Sequence, residues 1–236
     1  MRFLAAALLL GWSALAEAEK FEIVPISHAT VAVESGAETI VVDPWCKGDF
    51  TGVPLADLVL ITDIHGDHMD PPCVDKVRKP DAVIFAPAAV AEKVKGVTVI
   101  GNGETKHWHD WTIEAIPMYN IVRGPAPGKL YHDKGRGNGY VLTGAGRRLY
   151  FSGDTENIPE MRGLKNIDIA FVCMNLPYTM TPEEAAEGVK AMHPKVVYPY
   201  HYRNGDGTFS DLKKFQSTLE GTGIEVRVVD WYAKQK

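Results

Sequence analysis

The chain has 236 residues, of which 45% are hydrophobic and 23% charged. That is the balance of a globular protein, and it excludes disordered, collagen-like and coiled-coil classes. Thirty acidic against 25 basic residues leave a net charge of -5; chains that live on phosphate contacts are usually basic, so no nucleic-acid partner is expected.

Taken in chain order, Arg2 opens a short basic region and an apolar run follows from Phe3 to Ala16. The run is shorter than the about 20 residues a bilayer span needs. Small residues at Ala14, Ala16 and Ala18 make two overlapping A-x-A cleavage patterns. Residues 1–18 are therefore expected to be a secretory signal, and the protein to be secreted or periplasmic with no membrane span in its mature chain. Export implies an oxidising compartment. Cys46, Cys73 and Cys173 are odd in number and form no C-x-x-C, so one pair at most is expected to bridge and one thiol to stay buried.

Strands are predicted at 21–26, 29–33, 39–42, 58–62, 82–85 and 97–100, each β-branched or alternating and bounded by turn residues. A second strand-rich half follows at 112–118, 139–142, 148–151, 167–172, 196–200 and 224–229. Helices are predicted at 71–79, 88–95, 182–192 and 210–219, the third carrying Thr181 with Glu184 three residues on, a capping-box spacing. The pattern implies two sheets face to face with helices outside, an α+β sandwich. No linker follows residue 20, so 19–236 reads as one domain. Residues 121–138 form the least regular stretch, and loops that long in compact domains are often functional.

Chemistry concentrates where the strand at 58–62 runs into Asp63-Ile64-His65-Gly66-Asp67-His68. Four metal-capable side chains fall within six residues. In an extended segment 63, 65 and 67 point to one side, and a turn then brings His68 round, so the segment has donors for two adjacent ions. Further polar groups end later strands: Asn120 after Pro117-Met118-Tyr119, Asp154 in Gly153-Asp154-Thr155, and His201 in Pro199-Tyr200-His201. Rigid strand ends are where scaffolds present active groups. His107 and His109 sit between polar residues ahead of a strand and read as a hairpin turn; His193, before Pro194, reads as a helix end. His28, at the start of a strand, is a candidate for supporting the site or touching substrate. Tyr178 and Met180 are candidates for a pocket wall.

This order of motifs resembles the metallo-β-lactamase superfamily of metal-dependent hydrolases, in the branch of ascorbate-6-phosphate lactonase-like proteins and N-acyl-phosphatidylethanolamine phospholipase D. The likeness spans residues 21–232 and includes Ser27-His28-Ala29-Thr30 and Asp43-Pro44 besides the segments above. It implies an αββα four-layer sandwich with a dinuclear site at one sheet edge. It further implies that His65 ligates a first metal, that Asp67, His68 and His201 ligate a second, that Asp154 bridges them, and that Asp43 props the metal loop. Asp63 stands where the family has its first histidine, and Asn120 where it has a mid-chain metal histidine. Asp63 is then a carboxylate ligand, and either His132 or Asn120 completes the first site.

Zinc takes such donors readily and in catalytic sites keeps a position for water, whose pKa it lowers to about 7. The function expected is hydrolysis of an ester, lactone, amide or phosphodiester of a small molecule by metal-bound hydroxide, with Asp67 orienting it or passing on its proton. One or two Zn2+ ions are implied, with Mn2+ or Fe2+ admissible at the first site because carboxylate oxygen is harder than imidazole nitrogen. As a ligand, Asp63 brings two divalent ions, two other carboxylates and a hydroxide to zero formal charge, which favours neutral substrates. Two other classes stay open: a non-catalytic metal-binding protein with a degenerate first site, and an iron enzyme of oxygen chemistry on the same fold.

Overall fold

The structure, a computed structural model, describes residues 20–233. The expected signal segment lies outside the described residues. One sheet runs β1 (Phe21–Ser27), β2 (Thr30–Ser35), β3 (Glu38–Val42), β4 (Ala56–Leu60), β5 (Arg78–Ala86) and β6 (Val97–Val99) in that spatial order. Its first three strands are antiparallel neighbours, and β3 to β6 are parallel. The other sheet holds β7 (Thr105–Trp108), β8 (Trp111–Met118), β9 (Gly137–Gly144), β10 (Arg147–Phe151), β11 (Ile169–Cys173), β12 (Val196–Tyr200) and β13 (Glu225–Val226). Here β7 to β10 are antiparallel, and β10 to β13 parallel.

Parallel strands need both faces covered, and β4, β11 and β12 are accordingly apolar almost throughout. Val31, Leu58, Leu60, Tyr140, Phe151 and Phe171 belong to the core between the sheets, where Phe151 stacks on Phe171 at 4.6 Å. A second cluster joins the outer face of β4 and β5 to α1 (Pro71–Val77) and α2 (Ala88–Ala91) through Val59, Ile84, Val74 and Val90. On the far side α3 (Pro159–Gly163), α4 (Pro182–Met192) and α5 (Leu212–Leu219) bury Met161, Val189 and Phe215. The result is the expected αββα sandwich.

Local signals account for most boundaries. Thr181 and Glu184 close the capping box on α4, and His193 ends it in a left-handed conformation. The helix expected at 71–79 stops at Val77, since Pro80 disfavours helical backbone at Lys79; Arg78 instead begins β5, earlier than residue 82. His107 lies on β7, paired to β8, and His109 occupies the hairpin turn with φ 47°. Strand β7 and helix α3 were not among the predicted elements. Both are short, and α3 has no side-chain cap. Cys46 and Cys73 form the disulfide, tying the loop after β3 to the first turn of α1, and Cys173 is the buried free thiol. No helix among the described residues is long and apolar enough to cross a membrane.

Candidate metal centre

The C-terminal ends of the parallel strands meet at one edge of the sandwich, where open parallel sheets carry their ligands. Asp43 follows β3, the 63–68 segment follows β4, Asp154 follows β10, and His201 follows β12. The 63–68 segment does not stay extended. His68 and Met69 both donate backbone N–H groups to the His65 carbonyl, at 3.0 and 2.8 Å. This turn divides the motif: Asp63 and His65 face His132, while Asp67 and His68 face His201. The expected one-sided alternation of 63, 65 and 67 therefore fails at the turn.

His28, Asp43 and His201 all take left-handed backbone, with φ 58°, 48° and 47°. Such strain costs of order 1–3 kcal/mol per residue and clusters at functional sites. The His201 N–H donates to the His28 carbonyl at 3.0 Å, which joins the two sheets at the site. Gly153, with φ 58°, lets Asp154 enter. A Cβ there would sit 2.5 Å from Met118 Sδ and 3.1 Å from Thr62 Cβ. We expect Gly153→Ala to destabilise the protein by about 1–3 kcal/mol in thermal denaturation; an unchanged midpoint would refute this close approach.

Three imidazoles are held by their outer nitrogen. His68 Nδ1 donates to Asp43 at 2.8 Å, and Asp43 also accepts from the Thr62 backbone N–H and hydroxyl at 2.7 and 2.6 Å. His65 Nδ1 meets Asp63 at 2.7 Å. His132 Nδ1 and backbone N–H both donate to Asn120 Oδ1, at 2.7 and 2.8 Å. The Asn120 amide is oriented by two acceptors of its Nδ2, Glu156 at 3.0 Å and the Tyr178 carbonyl at 2.8 Å. Such outer partners fix tautomer and ring direction in metal-binding histidines, leaving Nε2 as the inward acceptor.

Those inward nitrogens converge. His68 Nε2 lies 3.1 Å from His201 Nε2 and 3.4 Å from Asp154 Oδ2. His132 Nε2 is 3.3 Å from Asp154 Oδ2, and His201 Nε2 is 3.4 Å from Asp154 Oδ1 and 3.5 Å from Asp67. Donors about 2.0–2.1 Å from a tetrahedral ion stand about 3.3 Å apart, so these spacings suit a shared cation. His132 Nε2, Asp154 Oδ1 and His201 Nδ1 are buried without a hydrogen-bond partner. Leaving such atoms unpaired costs about 1–3 kcal/mol each. For His132 Nε2 and Asp154 Oδ1, which point into the cluster, a bound cation would supply the missing partner. The ligand atoms of Asp63, His65 and His132 form a second group, within 4.8 Å of one another.

Charge follows the same division. Burial pushes the Asp154 carboxyl up, but the facing His201 and His68 rings, with His132 beside it, hold it well below its usual range. Burial likewise opposes ionisation of Asp67, yet hydrogen bonds from His201 and His28 hold it low. His28 goes the other way: burial, then the His201 ring, lowers it to about 3, so it is neutral. Burial raises the Cys173 thiol to about 11, and it offers no thiolate nucleophile.

A cavity of about 490 Å³ opens over the cluster, lined by His65, Asp67, His132, Asp154 and His201 among others. Tyr178 lines it and meets Tyr131 edge-on at 5.0 Å. Met180 does not line it; it is fully buried in the core. Asp63 is gripped by Arg136 through Nε at 3.1 Å and Nη2 at 3.0 Å, besides His65. Its charge is thus matched by a guanidinium, and the expected neutralisation of the metal site by Asp63 loses its basis. Sequence reasoning missed Arg136, Glu156 and Tyr232. Only Glu156 carried a signal, by its nearness to Asp154; Tyr232 bonds His28 Nδ1 at 2.8 Å from the far end of the chain.

Residues 22–201 match the family described as a beta-lactamase superfamily domain. The chain is 30% identical over 216 residues to a UPF0173 metal-dependent hydrolase of a Geobacillus species, covering 83% of this chain and 92% of the relative. A UPF0173 metal-dependent hydrolase of Deinococcus radiodurans is 28% identical over 221 residues, covering 87% and 94%. Among solved structures, a protein of Parabacteroides distasonis, provisionally named a metal-dependent hydrolase, superposes with a TM-score of 0.81 at 40% identity, covering 89% of this chain and 93% of that one.

Proposed function

This chain belongs to the beta-lactamase superfamily, among its UPF0173 metal-dependent hydrolases, and from that premise we propose that it hydrolyses an ester, lactone, amide or phosphodiester bond of a small molecule with one or two divalent ions, zinc foremost. The observation that carries the proposal is the convergence of the inward nitrogens of His68, His132 and His201 on Asp154, with the outer nitrogens of His68 and His132 already spent on Asp43 and Asn120. His68, Asp154, His201 and Asp67 would hold one ion, and His65 and His132, with Asp154 beside them, would hold the other. Asp63 orients His65 through Nδ1 and is itself fixed by Arg136.

When bound, the ions supply Lewis acidity and acidify water near neutral pH. Asp67 is the ionised carboxylate that is part-exposed to the cavity, steadied by His28 Nε2 at 3.1 Å. It receives the proton of the attacking water and returns it to the leaving group. His28, kept neutral, donates from Nε2 and anchors Asp67 in place. Tyr131 and Tyr178 shield the opening from bulk water. Export to an oxidising compartment accords with the Cys46–Cys73 bridge.

The test combines metal analysis of the purified protein with turnover of a panel of aryl esters, lactones and phosphodiesters before and after chelation. We expect about two ions per chain, loss of turnover on chelation, and recovery with Zn2+. Hydrolysis that survives complete removal of metal would overturn the reading. Tight metal binding with no turnover across the panel would instead identify a metal-binding protein without catalysis.

A further inference from the structure

The cavity is not uniform in charge. Of its ionised lining residues, Asp67 and Asp154 belong to the metal cluster; the others are Lys47 and Arg203, both cationic. Asp63 adds no net negative charge beneath, because Arg136 pairs with it. Outside the metal cluster the lining thus carries cations and no carboxylate, in a chain whose net charge is -5.

Both cations lie on one side. The Lys47 ammonium stands 5.0 Å from the centre of the Trp45 ring, and that ring is 5.2 Å from His28. The Arg203 guanidinium stands 5.1 Å from the centre of the Tyr232 ring, whose hydroxyl bonds His28 Nδ1. Two cation–aromatic pairs thus flank His28, on the Asp67 and His201 side. The edge-on pair of Tyr131 and Tyr178 lines the same cavity, Tyr131 next to His132 in the chain and Tyr178 against Gly205, where a Cβ would lie 2.7 Å from its hydroxyl. The backbone under Lys47 is pinned: Cys46 is in the disulfide, and a Cβ at Gly48 would lie 2.6 Å from Ile26. The Lys47 side chain itself is exposed and pairs with no carboxylate among the described residues. A fixed backbone with a cation reaching into the opening is the arrangement of an anchoring group.

Resting on the hydrolase reading, we infer that the substrate is a compact molecule with one anionic group and a flat apolar portion. The anion is held by Lys47, the flat portion lies against Tyr131 and Tyr178, and the bond to be cut is placed over the metal cluster. Lys47 is the specificity-determining residue. It touches the substrate's charge and takes no part in bond cleavage.

The experiment pairs 4-acetoxybenzoate with its neutral methyl ester, using the metal-loaded protein and Lys47→Gln and Lys47→Glu variants. Exposure of Lys47 leaves the fold intact in both, which circular dichroism checks. Binding of 4-hydroxybenzoate, followed by calorimetry, gives a readout independent of turnover. An exposed ammonium near an anion is worth about twofold to fivefold. We expect the wild type to prefer the anionic ester by about that factor in kcat/KM, carried by KM, with the preference lost in Lys47→Gln and reversed in Lys47→Glu. Affinity for 4-hydroxybenzoate should fall in the same order, and added salt should erode the preference. Lys47→Glu with unchanged discrimination and unchanged probe affinity would overturn the inference. If neither ester is turned over while probe binding still tracks the charge at residue 47, the anion site stands and the hydrolase reading fails.

Discussion

Asp154→Ala is expected to strip the protein of both ions and to abolish turnover. Asp154 is the carboxylate within 3.3–3.4 Å of the inward nitrogens of His68, His132 and His201. Removing it leaves three buried imidazole nitrogens facing one another without the negative charge that offsets a cation. The loss should exceed the about 10–100-fold caused by removing an outer partner of a metal ligand. His201→Ala should act similarly on the ion shared with His68 and Asp67, since His201 comes from the other sheet and closes that group. Metal analysis checks both variants, and circular dichroism checks that the sandwich survives. Two retained ions in Asp154→Ala would show that this carboxylate does not bridge.

The second large effect is expected at Asn120. From the sequence, Asn120→Ala is expected to be silent for metal content, because an amide is a poor ligand. The structure gives Asn120 a different part, as the outer partner of His132. Asn120 Oδ1 accepts two hydrogen bonds from His132, and its Nδ2 is tied to Glu156 and Tyr178. His132→Ala should lower the stoichiometry from about two ions towards one. Asn120→Ala should weaken the same ion by about 10–100-fold, as for other outer partners of metal histidines, and leave the ion at His68 and His201 untouched. Competition against a fluorescent chelator separates the two ions. Equal affinities in Asn120→Ala and wild type for both would show that the loop backbone alone places His132. Asn120→Asp is less informative, because it sets a carboxylate against Glu156.

Legibility differed by the range of the interaction. Strand runs such as β4 and β12 were readable because burial on both faces demands unbroken apolar residues, and α4 because its cap is written within four residues. Short elements such as β7 and α3 were not, since their stability comes from the sheet or helix they lie against, not from their own pattern. Residues 63–68 were readable as metal-capable by density alone, but not the direction of each side chain. One backbone turn at the His65 carbonyl separated Asp63 from Asp67.

The sequence by itself determined the donor types and the order of strands that carry them, which are properties of residue identity and local pattern; that Asp43, Asp154 and His201 belong to one constellation was implied by the family resemblance. Only the tertiary structure decided what each donor faces. Arg136, 73 residues from Asp63, takes up its charge; Asn120 reaches across a loop to His132; Tyr232 reaches His28 over 204 residues; and Lys47 and Arg203 come to the same mouth. Hydrogen-bond direction and charge compensation are set by distances of about 3 Å between groups far apart in the chain, and that information arises only when the two sheets close on each other.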